Sequence, residues 1–449
     1  MVLGSTIKSS GVLILSILTV SVLLLGPISA SATVPYVTER VNLQPDGSQM
    51  GGFTNESQRA PDISQDGRYA AFASISNVFA PGDSDSNKVD VFVRDMKLGT
   101  TVLATVGDAG VQTTLDILGY KMSGNGRYVA FVSNEALVSG DTNARTDVFV
   151  RDLLNNTTER VSLTSSGGQS TGHSGGWDQV DISSDGRYVV FKSSATNLVS
   201  GDTNAKDDIF VRDRRLATTT MLSKTPGGTL GNGDSLYPSI SCDGSYVTFS
   251  SGATNLVAGD TNAHYDLFLV DRIGGNALTN MTFGANANTT NNGDIACNGS
   301  VVVYNSDATN FLAGDTNNAR DVYVYDIASG TTQIANLDSS GNQSASNQTF
   351  AMGSRSVDFS GRYVVFESWS GDLVAGDTNN TNDIFIRDLQ DGTTQRITGR
   401  NATTQTTAES RMAAVSSDGR NVIYWSFDTG LVAGDTNNLA DIFVSKTGI

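Results

Sequence analysis

The sequence predicts an all-β chain, a seven-bladed β-propeller of four-stranded antiparallel blades, and three observations carry that prediction. A polar, acid-bearing loop that runs straight into an apolar strand recurs seven times. It reads GDSDSNKVDVFVRD at 82–95, GDTNARTDVFVRD at 140–152, GDTNAKDDIFVRD at 201–213 and GDTNAHYDLFLVD at 259–271, then GDTNNARDVYVYD at 314–326, GDTNNTNDIFIRD at 376–388 and GDTNNLADIFVSK at 434–446. Its leading aspartates are spaced 58, 61, 58, 55, 62 and 58 residues apart, a period that holds four short strands. The last copy stops one strand short, and the missing text has its match at the other end of the chain: YVTERVNL at 36–43 resembles TTERVSL at 157–163. An N-terminal strand that completes the seventh blade closes the ring and removes two exposed sheet edges.

Residues 1–32 stand outside the repeat. Lys8, the apolar run GVLILSILTVSVLLLG at 11–26 and the small residues Ala30-Ser31-Ala32 read as a secretory signal peptide cleaved after Ala32. No second apolar run is long enough to span a bilayer. The expectation is an exported, monomeric chain, periplasmic or extracellular, with one propeller over 33–449. A formal charge of −17 excludes nucleic acid and anionic membrane surfaces as partners and favours cations.

The third copy shows the unit most clearly. DQVDIS (178–183) alternates apolar and polar residues, SDGR turns the chain, and YVVFKSS (188–194) forms a second strand. A long loop leads to DIFVRD (208–213), and TTTMLS (218–223) is the fourth strand. The glycine of the Asp-Gly turn, from Gly67 to Gly419, supplies positive φ. The tyrosines that open second strands (Tyr69, Tyr128, Tyr188, Tyr246 and Tyr363) read as packing between blades. No segment has a sustained helical period. Cys242 and Cys297, the only cysteines, hold the same repeat position in neighbouring copies; spacing permits a disulfide without requiring one.

The sequence SSDGRYVVF, then DIFVRD, then TTxRxS resembles the PD40 repeat of TolB-like propellers, a WD40-like type, over essentially the whole chain after the signal. The resemblance implies a propeller and little about function, because such repeats serve many proteins. The pattern's proline before the Asp-Gly turn is absent, the residue there being Gln65, Ser184, Cys242 or Ser417. TolB has six blades and an N-terminal α/β domain, so an envelope role of that kind is not implied.

The loop between second and third strands opens on the same face as the loop between blades, so all seven acid loops crown one face. Each offers an Asp, an amide or second Asp two residues on, and an Asp at the strand start. The sets are Asp83, Asp85 and Asp90; Asp141, Asn143 and Asp147; Asp202, Asn204 and Asp208; Asp260, Asn262 and Asp266; Asp315, Asn317 and Asp321; Asp377, Asn379 and Asp383; and Asp435, Asn437 and Asp441. Oxygen side chains on alternate residues suit calcium, which takes six to eight oxygens. Asp and Asn also cap turns without any metal. Catalysis has less support. His173 and His264 are the only histidines, too few for a zinc site. GHSGG (172–176) matches a nucleophile pentapeptide but falls in a loop between blades, not at a strand-to-helix elbow. Trp177, Trp369 and Trp425 break the repeat symmetry on the loop face. Together these residues describe a binding or scaffold module for a protein or polysaccharide, with a carboxylate-based glycoside hydrolase or lyase as the alternative.

Overall fold

The computed structural model describes residues 37–49, 59–84, 88–108, 110–344, 349–350, 355–400 and 404–449. The expected signal peptide and the calcium candidate Asp85 lie outside the described residues. The described residues form seven four-stranded antiparallel sheets and contain no helix. In the third blade the strands are Val180–Ile182, Tyr188–Ser193, Asp208–Asp213 and Thr218–Met221. The seventh sheet joins Ser410–Val415, Asn421–Ser426 and Asp441–Lys446 to the N-terminal strand Thr38–Arg40, which pairs Thr38 with Ser445 and Arg40 with Phe443. The ring is closed as the two chain ends imply.

One aromatic pair holds each blade together. The fourth residue of the second strand lies opposite the third residue of the third strand, and both are aromatic in every blade. Phe191 faces Phe210 with ring centroids 6.0 Å apart, and Tyr304 faces Tyr323 at 5.5 Å. Cross-strand aromatic pairs add about 0.5–1.5 kcal/mol each beyond the area they bury. Between blades, apolar faces of neighbouring sheets share clusters such as Val148, Val150, Phe191, Phe210 and Met221. First strands of neighbouring blades touch around the axis.

On the turn face the tyrosines do pack between blades. A Cβ placed on Gly186 would stand 2.2 Å from the Tyr128 ring, and one on Gly419 2.6 Å from Tyr363. These glycines are therefore needed twice, for positive φ and for the ring of the preceding blade. Cys242 and Cys297 form a disulfide between the fourth and fifth blades, their Cα atoms 4.7 Å apart. The Gln65 amide, from the first blade, reaches across the axis to both sulfurs, and its carbonyl accepts from Ser184 Oγ.

Candidate functional site

The acid loops are built as turns anchored in the core. Leu198, Leu256, Leu373 and Leu431, each a few residues before a GDTN motif, are buried and tether the loop. The residue after GDTN is left-handed in six blades: Ala144, Ala205, Ala263, Asn318, Asn380 and Asn438. The motif asparagine makes that turn possible. Its Oδ1 accepts the backbone N–H two residues on, as Asn143 does from Arg145 and Asn379 from Thr381. Its Nδ2 donates to the strand-first aspartate, at 2.9 Å for Asn143 to Asp147 and 2.8 Å for Asn379 to Asp383. Asn262 and Asn317 make the same bond to Asp266 and Asp321.

The strand-first aspartates Asp90, Asp147, Asp208, Asp266, Asp321, Asp383 and Asp441 are buried. Each accepts from a hydroxyl or amide just past the fourth strand: Thr105, Ser162, Ser223, Thr282, Asn336, Thr398 and Asn42 respectively. The leading aspartate lies beside it, and in six blades an Arg, Gln or Asn side chain from on or just past the fourth strand engages at least one of the two. In the second blade Arg160 Nη1 meets Asp141 Oδ1 at 2.8 Å and Asp147 Oδ2 at 3.5 Å. In the seventh, Arg40 meets Asp435 at 3.1 Å and Asp441 at 3.2 Å; in the sixth, Arg396 meets Asp377 at 3.4 Å. Glutamine does the same in two others. Gln112 donates to Asp83 and Asp90 at 2.8 and 3.0 Å, and Gln343 to Asp315 and Asp321 at 3.3 and 3.4 Å. In the fourth blade Asn280 donates to Asp266 at 2.8 Å, beside Asp260.

The third blade differs. Met221 and Leu230 stand where the second blade has Arg160 and Gln169, and one oxygen each of Asp202 and Asp208 is buried without a hydrogen-bond partner. Burial pushes the Asp208 carboxyl up to about 6, against the help of Ser223 and Asn204 and with Asp202 and Asp207 adding to the rise. Asp377 rises to about 6 as well, through burial and its neighbour Asp383. Among the described residues, no group of three or more His, Cys, Asp or Glu side chains is placed to hold a metal ion.

A second set of acids lies on the axis, all three at one register position, opposite the third residue of the second strand. Asp62, Asp181 and Asp294 sit on the first strands of alternate blades, and each accepts a backbone N–H from the next blade: Met122, Ile240 and Ser356. Arg355 donates to Asp62 at 2.9 Å. Burial raises Asp294 to about 6. With Gln65, the disulfide and Arg355, Asp181 and Asp294 line a cavity of about 30 Å³, room for water alone. The axis is therefore narrow at its turn-face end.

At the loop-face end the axis is framed by aromatic and charged side chains. Trp177 is 46% exposed, with the Arg59 guanidinium 4.6 Å over its ring. Tyr237 and Met412, at equivalent positions beside bulges in their first strands, hold φ of 53° and 55°. Bulky residues adopt that conformation only where the surroundings impose it. The Gln179 and Glu367 side chains impose it here, accepting the Tyr237 and Met412 amides. Trp369 is exposed; Trp425 is buried beneath Phe427, so core packing accounts for it. His173 binds the Thr146 amide, and Ser174 of GHSGG is buried against Ser193, so that pentapeptide holds no exposed nucleophile. His264 lies in its loop, its amide donating to Asn262.

Neither the residues on or just past the fourth strand that engage the acid pairs nor the axial acids were singled out from the sequence. The first could have been read by aligning the seven copies, since Arg40, Leu103, Arg160, Met221, Asn280, Ile334 and Arg396 share one register position.

No protein-family model and no curated protein matches the chain. Solved structures do. An oligogalacturonate lyase from Vibrio parahaemolyticus superposes with TM-score 0.50 at 13% identity, covering 92% of this chain and 97% of that one. An oligogalacturonate lyase in complex with manganese gives 0.52 at 13% identity with the same coverage. A putative TolB from Agrobacterium tumefaciens, 16% identical over 67% of this chain and 88% of its own, gives 0.38, too low to argue from. At these identities the likeness shows the fold alone: the chain is a seven-bladed β-propeller, in agreement with its seven repeats.

Proposed function

We propose that this chain is an exported binding module that takes a polysaccharide on the loop face, at the mouth of the propeller axis. The observation that carries the reading is Trp177, a half-exposed indole backed by the buried Arg59 guanidinium. A fixed aromatic face beside polar loops is what a sugar ring stacks on, and the guanidinium stiffens the platform. The left-handed Tyr237 and Met412 at the same mouth support the reading, because such conformations gather at ligand sites. Two solved structures of this fold carry the name oligogalacturonate lyase, which keeps a carbohydrate ligand in view. Export rests on the signal-like residues 1–32. No helix among the described residues is long and apolar enough to cross a membrane. Affinity electrophoresis and tryptophan fluorescence against a polysaccharide panel test the reading. Binding that is lost in Trp177→Ala and kept in Trp177→Phe supports it; binding to proteins only, or unaffected by Trp177→Ala, refutes it.

A second reading is a carboxylate enzyme, favoured by the paired Asp181 and Asp294 in the axial cavity, both raised by burial. Cleavage of any polysaccharide in the panel, abolished by Asp294→Asn, would establish it. The blade-to-blade bonds that occupy both acids favour the binding module.

A further inference from the structure

The third acid loop carries two buried carboxylates and lacks the side chain that engages such a pair elsewhere. We propose that Asp202 and Asp208 bind one calcium ion, in the place that a guanidinium takes in the second blade. The inference stands apart from the identity of any loop-face ligand.

The second blade shows which oxygens surround a cation at this position. Arg160 meets Asp141 Oδ1, Asp147 Oδ2, the Gly140 carbonyl at 3.3 Å and Gln169 Oε1 at 3.1 Å. In the third blade Asp202, Asp208 and Gly201 occupy the equivalent positions in the repeated GDTNA text. Met221 pairs with Phe210 as Arg160 pairs with Phe149, and Leu230 bridges Lys224 as Gln169 bridges Leu163. Both replacements belong to the apolar cluster between the blades, so neither brings a donor. The result is visible at the acids. Asp202 is 7% exposed and Asp208 0%, and Asp202 Oδ1 and Asp208 Oδ2 are buried without a hydrogen-bond partner.

A buried carboxylate with one oxygen unsatisfied is costly, and two side by side cost more. An external cation removes that cost. Two carboxylates match a divalent charge, and calcium accepts irregular oxygen sets completed by water, whereas magnesium demands near-ideal octahedral geometry. The other acid loops are not equivalent, because an Arg, Gln or Asn side chain from on or just past the fourth strand engages their acids.

The test is calorimetric titration of calcium chloride into the purified protein, stripped with EDTA and held in sodium chloride to occupy weak monovalent sites. The expected result is one calcium per chain, lost in Met221→Arg, whose guanidinium fills the place from within, and lost in Asp202→Asn. No binding up to millimolar calcium, a stoichiometry of several per chain, or binding unchanged in both variants overturns the proposal. Polysaccharide binding is titrated separately in EDTA, so failure of the metal site and failure of the loop-face reading are told apart.

Discussion

The second and third blades carry the same loop text, GDTNA, and nearly the same strand behind it, yet the loops differ in electrostatics. In the second, Arg160 lies between two carboxylates, buried with them. In the third, the same two carboxylates have apolar residues at the corresponding positions, and Asp208 is pushed up to about 6. The motif therefore specifies a turn: the Asx bond, the left-handed fifth residue and the buried strand-first aspartate are common to both. In these two blades what the acids do turns on the residue nineteen positions after the leading aspartate, on the edge strand: Arg160 in one, Met221 in the other.

That contrast can be broken most forcefully by Asp147→Ala. It leaves Arg160 buried with half its partners gone, which costs about 3–5 kcal/mol in equilibrium unfolding. Asp208→Asn in EDTA should instead raise stability at pH 7.5, by on the order of 2 kcal/mol. The pH dependence follows from the direction of the shift. Asp208 is raised, so its contribution is fully present below the ordinary carboxylate pKa near 4 and is lost as pH rises through about 6. The gain from Asp208→Asn must then vanish when unfolding is measured near pH 4. Asp152 behaves oppositely. The Arg127 guanidinium holds it at about 2, so its contribution is present above the ordinary value and is lost as pH falls through about 2.

Gly186→Ala is a control on the turn face that the two blades share. The new methyl meets the Tyr128 ring and the residue is left-handed, so about 1–3 kcal/mol is lost without altering the difference between the acid loops. The smallest stability effect belongs to Trp177→Ala, within about 1 kcal/mol, although the proposed function requires it to remove polysaccharide binding. A thermal melt beside the affinity gel separates the two.

Much of this was legible in the sequence. Seven copies of one loop, the Asp-Gly turns and the displaced N-terminal strand specify blade number and closure, because strand alternation and turn chemistry are local. The tyrosine spacing revealed packing between blades for the same reason. Less legible was anything set by contacts across the ring. Gln65 reaching the Cys242–Cys297 disulfide joins residues 177 and 232 apart in sequence, and the bonds from Asp62, Asp181 and Asp294 to the next blade depend on register at the axis. The acid loops fall between these cases. Their carboxylates are plain in the text, while their partners Arg40, Arg160 and Arg396 lie on another strand and become visible only once that strand's register is known.

The most direct test is urea unfolding of Arg160→Met and Met221→Arg against the parent protein, all in EDTA. If fourth-strand side chains neutralise the acid pairs, the two substitutions act with opposite signs. Arg160→Met should lose about 3–5 kcal/mol, and Met221→Arg should gain stability. A cost below about 1 kcal/mol for Arg160→Met, or comparable losses in both, would contradict the account.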